Sequence, residues 1–168
     1  MELPQTESID MRSYYPGVIG RITEEHAVYY NTRWGFNASF ELQVARELSD
    51  FIAGFQNHRD GFWTAAIEDR FAGSIAIDGR RAIDEDARLR WFIVPPAFQG
   101  LGIGDALMDR GLNFCRRVGH RRVYLWTFAG LEAARRIYLR HGFQLVETHA
   151  DRPWGPIIRE QRYELVLA

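Results

Sequence analysis

A short glycine-rich segment near the middle of the chain constrains the fold more than any other feature. It reads Gln-Gly-Leu-Gly-Ile-Gly over residues 99–104, and it follows an apolar run at residues 91–94 that Pro95 and Pro96 close. An amphipathic segment comes next and ends at Gly119. A strand, a glycine loop and a helix start in this order leave successive backbone N–H groups free. Because these groups carry the positive end of the helix dipole, the arrangement predicts a phosphate or pyrophosphate site.

The spacing of the glycines argues against two common phosphate-binding loops. A dinucleotide fingerprint G-x-G-x-x-G would need a third glycine where the chain has Asp105 or Leu107. A Walker loop needs Gly-Lys-Ser/Thr, and the chain contains no lysine. The pattern that does fit is Q/R-x-x-G-x-G/A, with Gln99, Gly102 and Gly104. The spacing therefore disfavours an oxidoreductase that binds a dinucleotide.

This pattern resembles the acyl-CoA pyrophosphate loop of the GNAT N-acetyltransferases. Two further segments follow at the family's usual distances. One is an apolar strand at residues 123–127, and the other is a helix at residues 131–141 that carries Tyr138 and ends at a Gly-Phe pair. The resemblance runs over residues 9–167 and is specific over residues 89–143. Within the family, it is closest to acetyltransferase domains that are sometimes fused behind MarR-type regulators.

The resemblance implies one N-acetyltransferase domain over residues 1–168, with the α/β fold of the family. That fold has a mixed central sheet of six to seven strands, flanked by about four helices and splayed at the acyl-CoA site. The apolar patterns and turn residues predict strands over residues 9–14, 62–67, 71–77, 87–94, 122–127, 143–149 and 161–167. They predict helices over residues 18–31, from a cap at Asn37 or Ser39 to residue 55, over 103–119, and over 131–141.

The resemblance also implies acetyl-CoA as the co-substrate, with its pyrophosphate on the glycine loop and its pantetheine arm along the preceding strand. Val94 precedes Pro95, which favours an extended backbone at Val94 and ends regular pairing. We therefore expect this strand to separate from its neighbour near residues 92–94 and to leave amides free for the acetyl oxygen. The residues expected to bind acetyl-CoA are Phe92, Ile93, Val94, Gln99, Gly100, Leu101, Gly102, Ile103, Gly104 and Asp105.

Tyr138 matches the tyrosine with which family members protonate the departing thiolate of CoA. Two positions depart from the family pattern. Arg88 stands where many members carry a carboxylate base, and a guanidinium cannot accept a proton at physiological pH. Leu131 stands where many members carry an asparagine that contacts the cofactor. The general base is thus left open, and the substitutes considered are Glu24, Glu25, His26, His58, Asp84, Glu85 and Asp86.

Large aromatic residues at positions 29–36 and around position 154 predict the acceptor pocket, because amphipathic rings suit a ligand with an apolar body. An arginine nearby could hold a carboxylate of that ligand by a forked contact. The residues expected to bind the acceptor are Tyr30, Trp34, Arg88, Arg90 and Trp154. The favoured function is acetyl transfer to a primary amine of a small molecule, by direct attack in a ternary complex. A catalytically idle acyl-CoA-binding module and a protein-amine acetyltransferase are the alternatives.

Composition adds bounds on partners and compartment. The net charge of −1 gives no general attraction to nucleic acid or to an anionic membrane. No apolar run approaches the roughly 20 residues that span a bilayer, and no signal peptide is apparent, so we expect a cytoplasmic protein. Cys115 is the single cysteine and follows a helical core pattern. The five histidines lack metal-ligand spacing, so no metal is expected, and a homodimer stays open.

Overall fold

A mixed sheet with helices on both faces organises the structure, a computed structural model that describes residues 8–82 and 86–167. The strands are β1 (Asp10–Arg12), β2 (Gly61–Ile67), β3 (Arg70–Asp78), β4 (Ala87–Ile93), β5 (Arg122–Phe128), β6 (Gln144–Asp151) and β7 (Ile158–Val166). The helices are α1 (Val18–Trp34), α2 (Ala38–Ala53), α3 (Ile103–Val118) and α4 (Glu132–Arg140), with a 3-10 turn at Pro96–Phe98. The strand order is β1-β2-β3-β4-β5-β7-β6. Only β4 and β5 pair in parallel within the described ranges.

The sheet separates two hydrophobic cores. On β3, Ile75 and Ile77 belong to the core beneath α3, whereas Ala76 belongs to the core beneath α1 and α2. This division follows from the alternation of side chains along a strand. Cys115 lies in the α3 core, as its helical spacing predicts, and burial raises the pKa of its thiol to about 12. The predicted fold class is confirmed: seven strands and four α-helices lie in the described part of the chain.

Local signals explain where the helices begin and end. Asn37 is the N-cap of α2, and its side chain accepts a hydrogen bond of 3.0 Å from the Ser39 N–H. Gly35 ends α1 with a φ of 73°, so α1 continues three residues beyond the predicted end at Asn31. Gly119 ends α3 with a φ of 89°, as predicted. Left-handed glycines at these ends satisfy the last free carbonyls of each helix.

The strand ends agree less well with the sequence prediction. Glu68 and Asp69, with φ values of 49° and 61°, form the turn between β2 and β3, so Arg70 pairs with Ile67 inside the ladder. The strand predicted from residue 71 therefore begins one residue earlier, at Arg70. The outer hairpin is longer than predicted, because β6 continues to Asp151 and pairs there with the start of β7. The first strand is shorter, with three residues.

Candidate active site

The parallel strands β4 and β5 separate soon after they begin to pair. Their register joins Ala87 to Val123 and Arg88 to Tyr124, and no later residue of β4 pairs with β5. On its other side, β4 stays paired with β3 as far as Ile93. The separation predicted from the prolines is confirmed, but it begins at Leu89, three residues before Phe92. It leaves one edge of β4 free beside a widening gap.

A β-bulge in β4 follows shortly after the last residues that pair with β5. The register between β3 and β4 shifts between Ser74 and Ala76, so that β4 carries one residue more than its partner. Trp91 lies in this segment with a φ of 45°, a left-handed conformation that bulky residues rarely adopt. The buried Ser74 hydroxyl donates a hydrogen bond of 2.7 Å to the Trp91 carbonyl and holds the bulge. A bulge bends its strand and increases the local twist, which turns β4 away from β5.

The glycine loop presents a row of free backbone donors at the start of α3. None of the N–H groups of residues 100–105 donates a hydrogen bond within the described chain, and the first helical donor is the N–H of Ala106 to the Gly102 carbonyl. Gly100 and Gly102 have φ values of 82° and 81°. The Gln99 side chain lies back on the strand end, where its amide donates 3.0 Å to the Val94 carbonyl. The loop thus has the donors that an anion requires.

The glycines of this loop serve different purposes. A Cβ atom on Gly100 or Gly102 would meet no heavy atom within 4 Å, so the space above these two residues is open. A Cβ atom on Gly104 would lie 2.6 Å from Ile137 Cδ1 of α4. Gly104 therefore allows α3 and α4 to approach closely, whereas Gly100 and Gly102 keep the approach to the backbone donors clear.

A cavity of about 390 Å³ lies where β4 and β5 separate. The two strands β4 and β5 line it, together with residues of α1, α2, α4 and the β6–β7 hairpin. Of the predicted site residues, Phe92, Tyr138, Tyr30, Arg88, Arg90 and Trp154 lie on its wall. The titratable side chains on the wall are His26, Tyr30, Glu47, Arg88, Arg90, Tyr138, His149 and Glu160. The cavity therefore joins the free edge of β4 to a wall rich in ionisable groups.

Arg88 and Arg90, two residues apart on β4, differ in their partners. The guanidinium of Arg90 forms ion pairs with Glu47 of α2 and with Asp78 of β3, the latter at 3.3 Å. Arg88 has no hydrogen bond or ion pair with any residue of the described ranges, and its Nε is buried without a partner. Burial, with a smaller contribution from Arg90, lowers the pKa of Arg88. A half-buried guanidinium with no counter-ion nearby can bind an anion that enters the cavity, because such an anion would supply the partner that Nε lacks.

The aromatic residues of the first helix divide between the cavity and the core. Tyr30 lines the cavity, and its ring stacks on Phe36 at 5.7 Å. Trp34, predicted to bind the acceptor, lies behind this wall and not on it. Its ring is half-buried and packs at 5.2 Å against Phe128, beside the core beneath α1 and α2. Trp154 closes the far end and donates a hydrogen bond of 2.9 Å to Gln43.

Tyr138 of α4 lies at the inner end of the cavity, with only 5% of its surface exposed. Its ring packs against Phe92 at 6.0 Å and against Tyr163 at 5.7 Å. Burial raises the pKa of the Tyr138 hydroxyl above its ordinary value of 10. The hydroxyl therefore keeps its proton throughout the neutral pH range.

Five of the seven substitutes for the general base lie in the described part of the chain, and among these five only His26 lines the cavity. The His26 ring is buried and its Nδ1 lies 2.8 Å from the Ile22 carbonyl. Burial lowers the pKa of His26 to about 4, so the ring is neutral near pH 7. The other described candidates lie away from the cavity wall: Glu24, Glu25, His58 and Asp86. Asp84 and Glu85 lie outside the described residues.

The outer hairpin contributes two ionisable residues that the sequence reasoning missed. His149 of β6 and Glu160 of β7 are opposite each other in the register, with His149 Nε2 2.7 Å from Glu160 Oε2. Both line the cavity. Only the register of the hairpin brings them together, and the sequence did not fix that register. With Asp151 they form a group whose possible ligand atoms lie within 4.8 Å of one another, a closeness that histidine spacing alone could not reveal.

Comparisons with known proteins identify the family. Residues 21–143 match the acetyltransferase (GNAT) family, and the chain belongs to it. An uncharacterised N-acetyltransferase of Methanocaldococcus jannaschii is 30% identical over 104 residues, which are 60% of this chain and 45% of that protein. An amino-acid acetyltransferase of Mycobacterium tuberculosis is 31% identical over 87 residues, which are 51% of this chain and 47% of that protein. The chain thus matches less than half the length of these curated relatives.

Solved structures support the same fold. A Salmonella typhimurium protein described as an acetyltransferase, solved with its cofactor acetyl-CoA, superposes with a TM-score of 0.70. The alignment covers 95% of this chain and 94% of that one, at 19% identity. Within residues 8–82 and 86–167, no helix has both the length and the apolar character needed to cross a membrane.

The buried His26 makes stability depend on pH. Because the folded-state pKa of about 4 lies below the ordinary value of 6.5, the unfolded chain binds the proton more readily. The contribution of neutral His26 to the free energy of unfolding is therefore complete above pH 6.5, and it is lost as the pH falls towards 4. Between pH 7 and pH 5 this single group should remove about 2 kcal/mol from the free energy of unfolding.

Urea unfolding at both pH values measures the effect of His26. A His26→Gln variant, which cannot titrate, should lose about 2 kcal/mol less than the wild-type protein between pH 7 and pH 5. His58→Gln is the matched control, because His58 is exposed, and it should behave as the wild-type protein does. Equal losses in the wild-type protein and His26→Gln would show that His26 is not buried as described.

Proposed function

We propose that this protein is an acetyl-CoA-dependent N-acetyltransferase that acts on a small-molecule amine carrying an anionic group. The observation that supports it best is the cavity itself. It connects the free edge of β4 to the half-buried guanidinium of Arg88, which has no ion-pair partner among the described residues. The first feature suits a thioester arm, and the second suits the anion of a second substrate. Membership of the GNAT family supports the reaction type.

The glycine loop fits the pyrophosphate of acetyl-CoA. Free N–H groups at residues 100–105 are the donors that we assign to it, and open space above Gly102 lets the ligand approach the backbone. The pantetheine arm would continue along the unpaired edge of β4, past Val94 and Phe92. A backbone N–H there would donate to the acetyl oxygen and stabilise the negative charge that develops when the amine attacks.

Tyr138 is the proposed acid. Attack by the amine nitrogen forms the bond to the acetyl carbon and then breaks the bond between that carbon and sulfur. The departing sulfur takes the hydroxyl proton of Tyr138. Because burial raises the pKa of Tyr138, it is always protonated when the reaction starts. The same burial makes it a weaker acid, so the proton should move together with the sulfur and not ahead of it.

The acceptor should be small and should carry a carboxylate or a similar anion. Arg90 is already neutralised by Glu47 and Asp78, which leaves Arg88 as the cation that would hold the anion. A guanidinium can bind a carboxylate through two parallel hydrogen bonds. The apolar body of the acceptor would lie against Tyr30 and Trp154. One relative is named an amino-acid acetyltransferase, which agrees with such an acceptor.

Two measurements test the proposed function. Acetyl-CoA should raise the melting temperature, since a ligand that binds the folded state stabilises it. Free CoA thiol should then appear when an amine is added, most rapidly with amines that carry a carboxylate. Stabilisation without thiol release across a broad panel of amines would instead support an idle acyl-CoA-binding module. Release only with peptides would support a protein-amine acetyltransferase.

The glycine loop gives the first prediction about binding. Gly102→Val should weaken acetyl-CoA binding by roughly 100-fold or more, because losing two charge-assisted hydrogen bonds costs about 3 kcal/mol or more. Gly119→Val is the matched control. It lies at the other end of α3 with a similar φ and equally open space, so the backbone strain is the same. Calorimetry of both variants checks this, and equal affinities in two folded variants would remove the pyrophosphate from the loop.

Tyr138→Phe tests the acid. The substitution keeps the ring in its packing and removes the proton, so kcat should fall by roughly 10²–10⁴-fold. The KM for acetyl-CoA should hardly change. Tyr163→Phe is the control, since Tyr163 is a buried ring neighbour that does not line the cavity. Steady-state kinetics of both variants measures kcat and the KM for acetyl-CoA. A wild-type kcat in Tyr138→Phe would mean that Tyr138 has a structural role only.

Arg88→Gln tests the recognition of the anion. Hydrogen bonds to charged groups contribute about 1.5–3 kcal/mol, so kcat/KM for a carboxylate-bearing amine should fall about 10- to 100-fold. For the same amine without its carboxylate, the change should be much smaller. Arg122→Gln is the control, because Arg122 is an exposed arginine of β5 that lies outside the cavity wall. An equal loss with both amines would argue against a carboxylate at Arg88.

A further inference from the structure

Glu160 and His149 form a hydrogen-bonded pair on the wall of the cavity. Their distance of 2.7 Å joins His149 Nε2 to Oε2 of the carboxylate. Oε1 of Glu160 has no hydrogen bond or ion pair with any other residue described, so one carboxylate oxygen stays available to a group inside the cavity. The imidazole is 43% exposed and its ring packs edge-on against Trp126 at 5.6 Å. The pair thus connects the interior of the cavity with solvent.

The other ionisable groups on the wall are poorly suited to accept a proton. Arg88 and Arg90 are guanidinium groups, which have no lone pair to offer. Glu47 already bonds to Arg90. His26 is a weak base, because burial lowers its pKa to about 4, far from the neutral range in which a general base works best. Tyr30 and Tyr138 are neutral hydroxyl groups. Among the described residues of the wall, this leaves the pair on the outer hairpin as the suitable acceptor.

We propose that the Glu160–His149 pair is the general base of the acetyl transfer, an inference that rests on the function proposed above. An amine acceptor enters mainly as an ammonium ion and must give up two protons to become an amide. The first passes to Oε1 of Glu160 and from there to water, which frees the lone pair for attack, while the Nε2–H of His149 donates to Oε2 and holds the carboxylate in position. The second leaves the nitrogen after attack and replaces the proton that Tyr138 gives to sulfur.

Several charged and titratable groups surround the pair. The titratable and charged groups that face it are Glu147 and Asp151 on β6, Arg162 on β7, and, across the cavity, Arg88, Glu47 and His26. His149 Nδ1 lies 3.7 Å from Glu147 Oε1, so an imidazolium at this position would lie between two carboxylates.

Glu160→Gln tests the carboxylate directly. Glutamine keeps the size and still accepts the hydrogen bond of His149, but it is not a base. At pH 7, kcat/KM for the amine should fall by roughly 10²–10⁴-fold. The deficit should shrink as the pH rises, because the free amine then forms in water without help. Glu164→Gln is the matched control on the same strand, since Glu164 pairs with Arg162 and does not line the cavity.

His149→Gln tests the second member of the pair, and it should lower kcat/KM with the same recovery at high pH. Both variants should keep the stabilisation by acetyl-CoA, which shows that the fold and the first site are intact. All assays contain a chelator, so that a metal ion on His149, Asp151 and Glu160 does not contribute. Given a wild-type protein that acetylates amines, a wild-type rate and pH profile in either variant would overturn the proposal. A wild-type protein that acetylates no amine would instead reject the proposed function.

Discussion

The bulge of β4 at Trp91 is the constraint on which the site depends. A bulky residue in the left-handed region is costly, of order 1–3 kcal/mol, and persists only where its surroundings hold it. The Ser74 hydroxyl bonds to its carbonyl, its ring packs on Phe51 at 5.4 Å, and the Arg90 guanidinium lies 4.3 Å from the ring centroid. These contacts keep the extra residue in place, and the extra residue turns β4 away from β5. Without that turn the parallel pair would close, and the cavity with it.

The same strand shows how the surroundings give two identical residues different roles. Arg88 and Arg90 are equivalent in the sequence, two positions apart and on the same face. The ion pairs with Glu47 and Asp78 make Arg90 a support that ties β4 to α2 and β3. Arg88 has no such support, so its charge is available to a ligand. The sequence could name both arginines as candidates, but only the contacts across the sheet distinguish them.

Features encoded by neighbouring residues could be predicted from the sequence, and features that depend on distant pairing could not. The glycine loop, the cap at Asn37 and the end of α3 at Gly119 follow from local chemistry, and the structure has all three. The bulge at Trp91 depends on a hydroxyl 17 residues away on another strand. The opposition of His149 and Glu160 depends on the register of a hairpin whose outer strand shows no apolar alternation.

The outer strand β6 is a weakly packed part of the fold. Every residue of β6 is exposed, so the strand adds little apolar burial and is held mainly by its ladder to β7. Elements with few buried contacts open by local unfolding at a lower free energy than the core. The α3 core and the glycine loop would remain folded during such an opening. A partly opened molecule could then still hold the cofactor while the wall of the cavity that carries His149 has fallen away, so thermal inactivation would precede melting of the core.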